Sequence, residues 1–151
     1  MVCFFTSLAL DQRHSTAVRS AAIRAMLDQA LGLNLARSLA RLSKAPVIIS
    51  PDPLYADLDA PLYAQRALPP TRPVAYADVC AAVQNMAGLG GIRFLPQPSE
   101  TIGTRLDTLP DYCTGSRRIL NDEVHREADR RHMNGSYGAL VLRDALAVLA
   151  A

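Results

Sequence analysis

The sequence predicts an α/β domain: a small parallel sheet inside a three-layer sandwich. Three observations lead there. Short apolar runs at 2–6, 45–50 and 92–95 alternate with helix-periodic segments at 17–42, 74–89 and 136–150, giving the order β-α-β-α-β-α. The run at 45–50 is apolar up to Ser50, as in a strand covered on both faces of a parallel sheet. The length of 151 residues suits one domain, 1–151, better than two.

Each element has its own justification. Val2-Cys-Phe-Phe-Thr6 is β-branched and aromatic, and reads as a buried strand. Asp11 to His14 is a polar loop, and Ser15 or Thr16 offers a hydroxyl to cap the helix that follows. Ile23, Leu27, Leu31, Leu35, Leu39 and Leu42 recur at helical spacing and form one apolar stripe. Arg19, Arg24, Arg37 and Arg41 lie off that stripe, on a solvated face. Gly32 is the expected place for a bend or a split.

Prolines recur from Pro51 to Pro73 and periodicity fails, so this stretch reads as a long loop. Val79, Ala82, Val83 and Met86 share one side of the next helix, which Gly88, Gly90 and Gly91 end. Ile92-Arg-Phe-Leu95 is the third strand, closed by Pro96. Pro96 to Arg131 is a second long irregular stretch, of the kind that is functional or mobile inside a compact domain. The last helix, 136–150, offers Leu140, Val141, Ala145, Val148 and Leu149 for packing. Three strands make a thin parallel sheet, so a homo-oligomer or a further N-terminal segment is expected to complete it.

Composition excludes several function classes. Hydrophobic residues make up 50% and charged residues 20%, unlike a disordered chain. Sixteen basic residues against 14 acidic ones leave a net charge of +2, so no nucleic-acid partner is implied. An aromatic content of 5% without Trp argues against a base-stacking platform. Cys3, Cys80 and Cys113 are odd in number and far apart, which points away from disulfides and zinc ribbons and toward reduced thiols. The apolar start lacks the basic flank of a secretory signal, and no run has the ~18 apolar residues of a membrane span. The expected setting is cytoplasmic, with no membrane partner.

The most informative stretch is Asp129-Arg-Arg-His132-Met-Asn134-Gly-Ser-Tyr137-Gly138. Its spacing lets a loop fold the carboxylate of Asp129 back onto one nitrogen of His132, which fixes the tautomer and leaves the other nitrogen as a general base. The pair follows the third strand through a long loop, toward the carboxyl edge where open α/β sheets bind ligands.

At these residues the sequence resembles the SGNH/GDSL hydrolase superfamily, whose last block is an Asp-x-x-His before a C-terminal helix. Asp129, His132, Asn134 and Gly138 match that block. Val47–Ser50 with Pro51 looks like the family's late strand and proline loop, and Ile92–Leu95 like its final strand. The resemblance implies a flavodoxin-like three-layer fold and a serine esterase or acyltransferase. It implies small-molecule ester or acylated carbohydrate substrates and no cofactor. It also implies His132 as general base and Asp129 as its orienting partner.

The sequence contains no Gly-Asp-Ser nucleophile block and no Gly-x-Asn-Asp block. The resemblance covers the C-terminal part of the family's domain, so the expectation is a truncated member, inactive alone. Its alternative is a non-catalytic α/β domain that binds a protein or carbohydrate partner.

Other residues stay open. Ser116, in Thr114-Gly-Ser-Arg-Arg118, is a turn residue after Gly115, a substitute nucleophile or part of a substrate loop. Asn134 is a turn or substrate residue. His14 follows Asp11 at the same spacing as the dyad and reads as a site residue or as a loop histidine ahead of the helix cap. His125, Asp129 and His132 would share one face of a helix and suit a metal, although no fourth ligand stands out. Arg117, Arg118, Arg126, Arg130 and Arg131 would suit an anion, but Asp122, Glu123, Glu127 and Asp129 nearly cancel them. Tyr112 and Tyr137 read as packing residues.

Overall fold

The computed structural model describes residues 15–56, 72–88, 91–104, 106–118, 123–125 and 131–150. Among them the chain is mixed α/β, with four helices and a two-stranded parallel sheet. The expected strand at 2–6 lies outside the described residues. Contacts divide the chain into two compact units.

The first unit holds the described residues up to Pro51 together with those from 72 to Pro96. Helix α1 is Thr16–Asp28, and its N-cap is Ser15, whose hydroxyl accepts from the Val18 N–H at 3.4 Å. Helix α2 is Leu31–Leu42. The long predicted helix therefore splits at Gln29 and Ala30, and Gly32 lies inside α2. Asn34 closes the break by donating its side-chain amide to the Asp28 carbonyl at 3.0 Å.

That split overturns the single apolar stripe. Ile23 and Leu27 are buried, but Leu31, Leu35, Leu39 and Leu42 are 77%, 57%, 47% and 85% exposed. Leu33 and Ala36 enter the core instead. A two-residue connection restarts the helical phase, so a row continuous in sequence changes face across the break. The second helix consequently carries an apolar row on each of two faces. Arg19, expected on a solvated face, is half-buried and pairs with Asp78 at 3.8 Å.

Strand β1 is Val47–Ile49 and strand β2 is Ile92–Phe94. They pair in parallel with Val47 opposite Ile92 and Ile49 opposite Phe94. The Leu95 N–H adds a bond to the Ile49 carbonyl at 2.8 Å. Parallel neighbours need a crossover connection, and helix α3, Arg72–Gly88, lies between them in the chain. Met86 and Ala87 of α3 are buried, and Val79, Ala82 and Val83 pack against the same core, as the periodicity predicts. Gly91 stands at φ +69° just before β2, in a conformation that favours glycine. All three residues of β1 are only half-buried, so full cover on both faces is not reached. Ile23 sits at 2% exposure in the core of this unit. Ile23→Val is expected to cost about 1 kcal/mol, read as a lower midpoint in urea denaturation followed by circular dichroism.

The second unit holds residues 52–56 and the described residues from Gln97 onward. Among its described residues the stretch from Pro96 to Arg131 has no long element and is ordered by turns and single bridges. Two 3-10 turns, Ser99–Thr101 and Pro110–Tyr112, are joined by isolated bridges of Thr108 to Ala56 and to Ile102. At the centre is Gln97, 3% exposed. Its carbonyl oxygen accepts from the Leu54 N–H at 2.8 Å. Its amide donates to the hydroxyls of Thr101 and Thr108, at 2.9 and 3.0 Å. Those hydroxyls donate onward to the carbonyls of Pro98 and Leu54. A loop core can bury this much polarity because each group is paired. Helix α4 is Gly135–Ala150.

Candidate functional site

Of the residues singled out in sequence, Ser116, His125, His132 and Asn134 are described, and they lie in the second unit. Asn134 is the N-cap of α4. Its side-chain oxygen accepts from the N–H groups of Ser136 and Tyr137, at 3.1 and 3.2 Å. Its side-chain amide donates to the carbonyls of Asp111 and Thr114, at 2.7 and 3.0 Å. Its backbone N–H reaches the Tyr112 carbonyl at 2.8 Å. One side chain thus satisfies orphan donors of the helix and ties the helix entry to the 3-10 turn at 110–112. Its place is that of a turn residue.

Cys113, Thr114 and Gly115 lead from that turn into Ser116. Gly115 takes φ +72°, and the Ser116 N–H donates to the Cys113 carbonyl at 3.2 Å. Ser116 is 3% exposed. Beyond it, Arg117 and Val124 form an antiparallel bridge. The Arg118 N–H donates to the Glu123 carbonyl and the His125 N–H to the Ser116 carbonyl, each at 2.8 Å. This register sets Ser116 directly opposite His125. Opposed residues emerge on the same face with Cβ atoms about 5 Å apart.

His125 in turn meets His132. Their ring centroids are 4.1 Å apart and their planes differ by 10°. His132 is exposed and His125 half-buried. The metal reading of this pair loses its geometric basis, because the lone pairs of imidazole nitrogens lie in the ring planes. Nearly parallel planes carry those lone pairs side by side, whereas a shared ion needs them to converge. Among the described residues, no group of three His, Cys, Asp or Glu gathers as a metal site.

Arg131, beside His132, places its guanidinium 5.2 Å from the centre of the Tyr55 ring, within cation–π range. Arg118 pairs with Glu123 at 3.8 Å. At the surface, Arg143 of α4 pairs with Glu100 and Asp144, each at 2.7 Å. The Glu100 carboxyl is held below its ordinary range by a backbone N–H and by the Arg143 guanidinium.

Asp129 and His14 lie outside the described residues, as do Arg126, Arg130, Asp122 and Glu127. The tyrosines are built into the packing. Tyr137 is buried, and burial pushes its hydroxyl up to about 12. Tyr112 is half-buried beside the Asn134 contact. Cys80 and Cys113 are free thiols. Burial raises Cys80 above the ordinary thiol range, with a hydrogen bond to Tyr76 acting in the opposite sense. Cys113 is buried and donates to the Pro110 carbonyl at 3.3 Å.

Three features escaped the sequence: the stacking of His125 on His132, the opposition of Ser116 and His125, and the Arg131–Tyr55 contact. Each depends on how the irregular segments fold back on themselves, which residue spacing does not fix. Among the described residues, no helix is long and apolar enough to cross a membrane. No protein-family model, curated protein or solved structure matches this chain.

Proposed function

We propose that the chain is an SGNH-like serine esterase or acyltransferase domain of three-layer, flavodoxin-like type, acting on small-molecule or carbohydrate O-acyl esters. His132 is its general base and Asp129 orients the ring. The observation that carries this reading is that Ser116 stands opposite His125, whose ring stacks on that of His132. Ester transfer needs a nucleophile and an imidazole on one surface, and this cluster supplies both residue types. In the acylation step, the serine oxygen attacks the ester carbonyl and its proton passes to the imidazole. The imidazolium then protonates the departing alkoxide. Water, activated by the same base, releases the acyl group.

A second reading has its own observation. Leu31, Leu35, Leu39 and Leu42 stand exposed along α2. Leu142, Leu146 and Leu149 stand exposed along α4. Rows of large exposed apolar side chains favour a non-catalytic domain that binds a protein partner.

Fluorophosphonate labelling of the folded chain, read by peptide mass spectrometry, separates the two. The esterase reading expects one adduct, on Ser116, that disappears in His132→Ala. A folded chain that takes up no label leaves the partner-binding reading standing.

A further inference from the structure

We infer that His125 is a positioning residue, whose ring serves as the wall that holds the His132 imidazole in one orientation. The inference rests on the reading of His132 as a base and adds to it a residue that neither the resemblance nor the Asp-x-x-His spacing assigns.

The two histidines are not equally anchored. His125 sits on the short antiparallel pairing formed by the Arg117–Val124 bridge, and its N–H donates to the Ser116 carbonyl at 2.8 Å. Its backbone is therefore fixed from across the strand pair, and its side chain is half-buried. His132 lies in the irregular segment ahead of α4 and is exposed. Asn134 ties down the backbone two residues later.

An exposed side chain that must act in one geometry loses rotamer entropy each time it does so. A flat surface 4.1 Å away and within 10° of parallel removes the competing rotamers beforehand. Because the planes are parallel, the in-plane nitrogens of His132 stay clear of the wall. The wall works through its face, so its own nitrogens are not needed for this role. Ser116 stands opposite His125 on the same face of the strand pair.

The test compares His125→Ala, which removes the wall, with His125→Phe, which keeps a flat ring and removes both nitrogens. The first readout needs no activity. In the folded protein with 15N-labelled histidine, the stacked ring shifts the carbon-bound His132 ring protons upfield. Positioning predicts a downfield move in His125→Ala and retention of the upfield shift in His125→Phe.

The second readout is the rate of fluorophosphonate labelling. His125→Ala is expected to slow it about tenfold or more, the scale of a misplaced catalytic group. His125→Phe is expected to restore it to near the wild-type rate. An unchanged His132 spectrum in His125→Ala overturns the inference. So does a His125→Phe protein as slow as the alanine variant, because the nitrogen would then be needed and His125 would itself be the base. If the wild-type chain takes no label at all, the esterase reading falls while the spectrum still judges the stack.

Discussion

Replacing Gln97 with alanine is expected to destabilise the second unit by about 3 kcal/mol. The side chain is 3% exposed and joins Leu54, Thr101 and Thr108 through one acceptor and two donors. Truncation strands the Leu54 N–H in a buried place, and an unsatisfied buried donor alone costs about 1–3 kcal/mol. A cavity and two lost donor bonds add to it. Gln97→Met restores much of the volume and none of the bonds, so it is expected to recover only the packing share. Gln97→Glu keeps the Leu54 bond but turns a donor into an acceptor against Thr101 and Thr108. Their hydroxyls already donate to carbonyls, so this variant is expected to be no better than alanine. Hydrogen exchange at the amides of Leu54 and Thr108 reads the effect locally. Exchange at both as slow as in the wild type would show that the node does not hold these segments.

Replacing Asn134 with alanine is expected to cost about 2–3 kcal/mol. The cap contributes about 1 kcal/mol of that. The two amide bonds to Asp111 and Thr114 supply the remainder, reduced because the carbonyls they leave are accessible to water. Asn134→Asp separates the shares. It keeps the acceptor for Ser136 and Tyr137, and a negative charge suits a helix N-terminus. It also faces a carboxylate toward the two carbonyls that the amide had satisfied. The expected order of stability is wild type, then aspartate, then alanine. Amide exchange at Ser136 and Tyr137 should be slow in aspartate and fast in alanine. An aspartate variant as stable as the wild type would mean that the ties to the 110–114 segment contribute nothing.

The sequence by itself was enough to locate much of the secondary structure. Helix α3 runs over Arg72–Gly88 against an expected 74–89, and α4 over Gly135–Ala150 against 136–150. The strands at Val47–Ile49 and Ile92–Phe94 fall inside the apolar runs read for them. The Ser15 cap was legible in its hydroxyl just ahead of a periodic run. These are local matters: periodicity, capping and the conformations of glycine act over a few residues, and the sequence states them directly.

The expected stripe through Ile23 to Leu42 does not hold, because spacing shows which residues share a face only while one helix continues. The break falls at Gln29 and Ala30, just ahead of the Gly32 at which the sequence predicts a bend or a split, and it is stabilised by Asn34 reaching back to Asp28. Leu33 and Ala36 then point inward because neighbouring elements offer them a core, a choice that no window of sequence contains.

The site divides along the same line. The local pattern around residues 129–138 marks His132 as a candidate and sets Asn134 just ahead of a helix. Only the tertiary structure set the His132 ring against His125, Ser116 opposite His125, and Gln97 at the centre of a buried polar node. Those meetings depend on loops that return to one place through hydrogen bonds across many residues. Their closing entropy is repaid only when several form together.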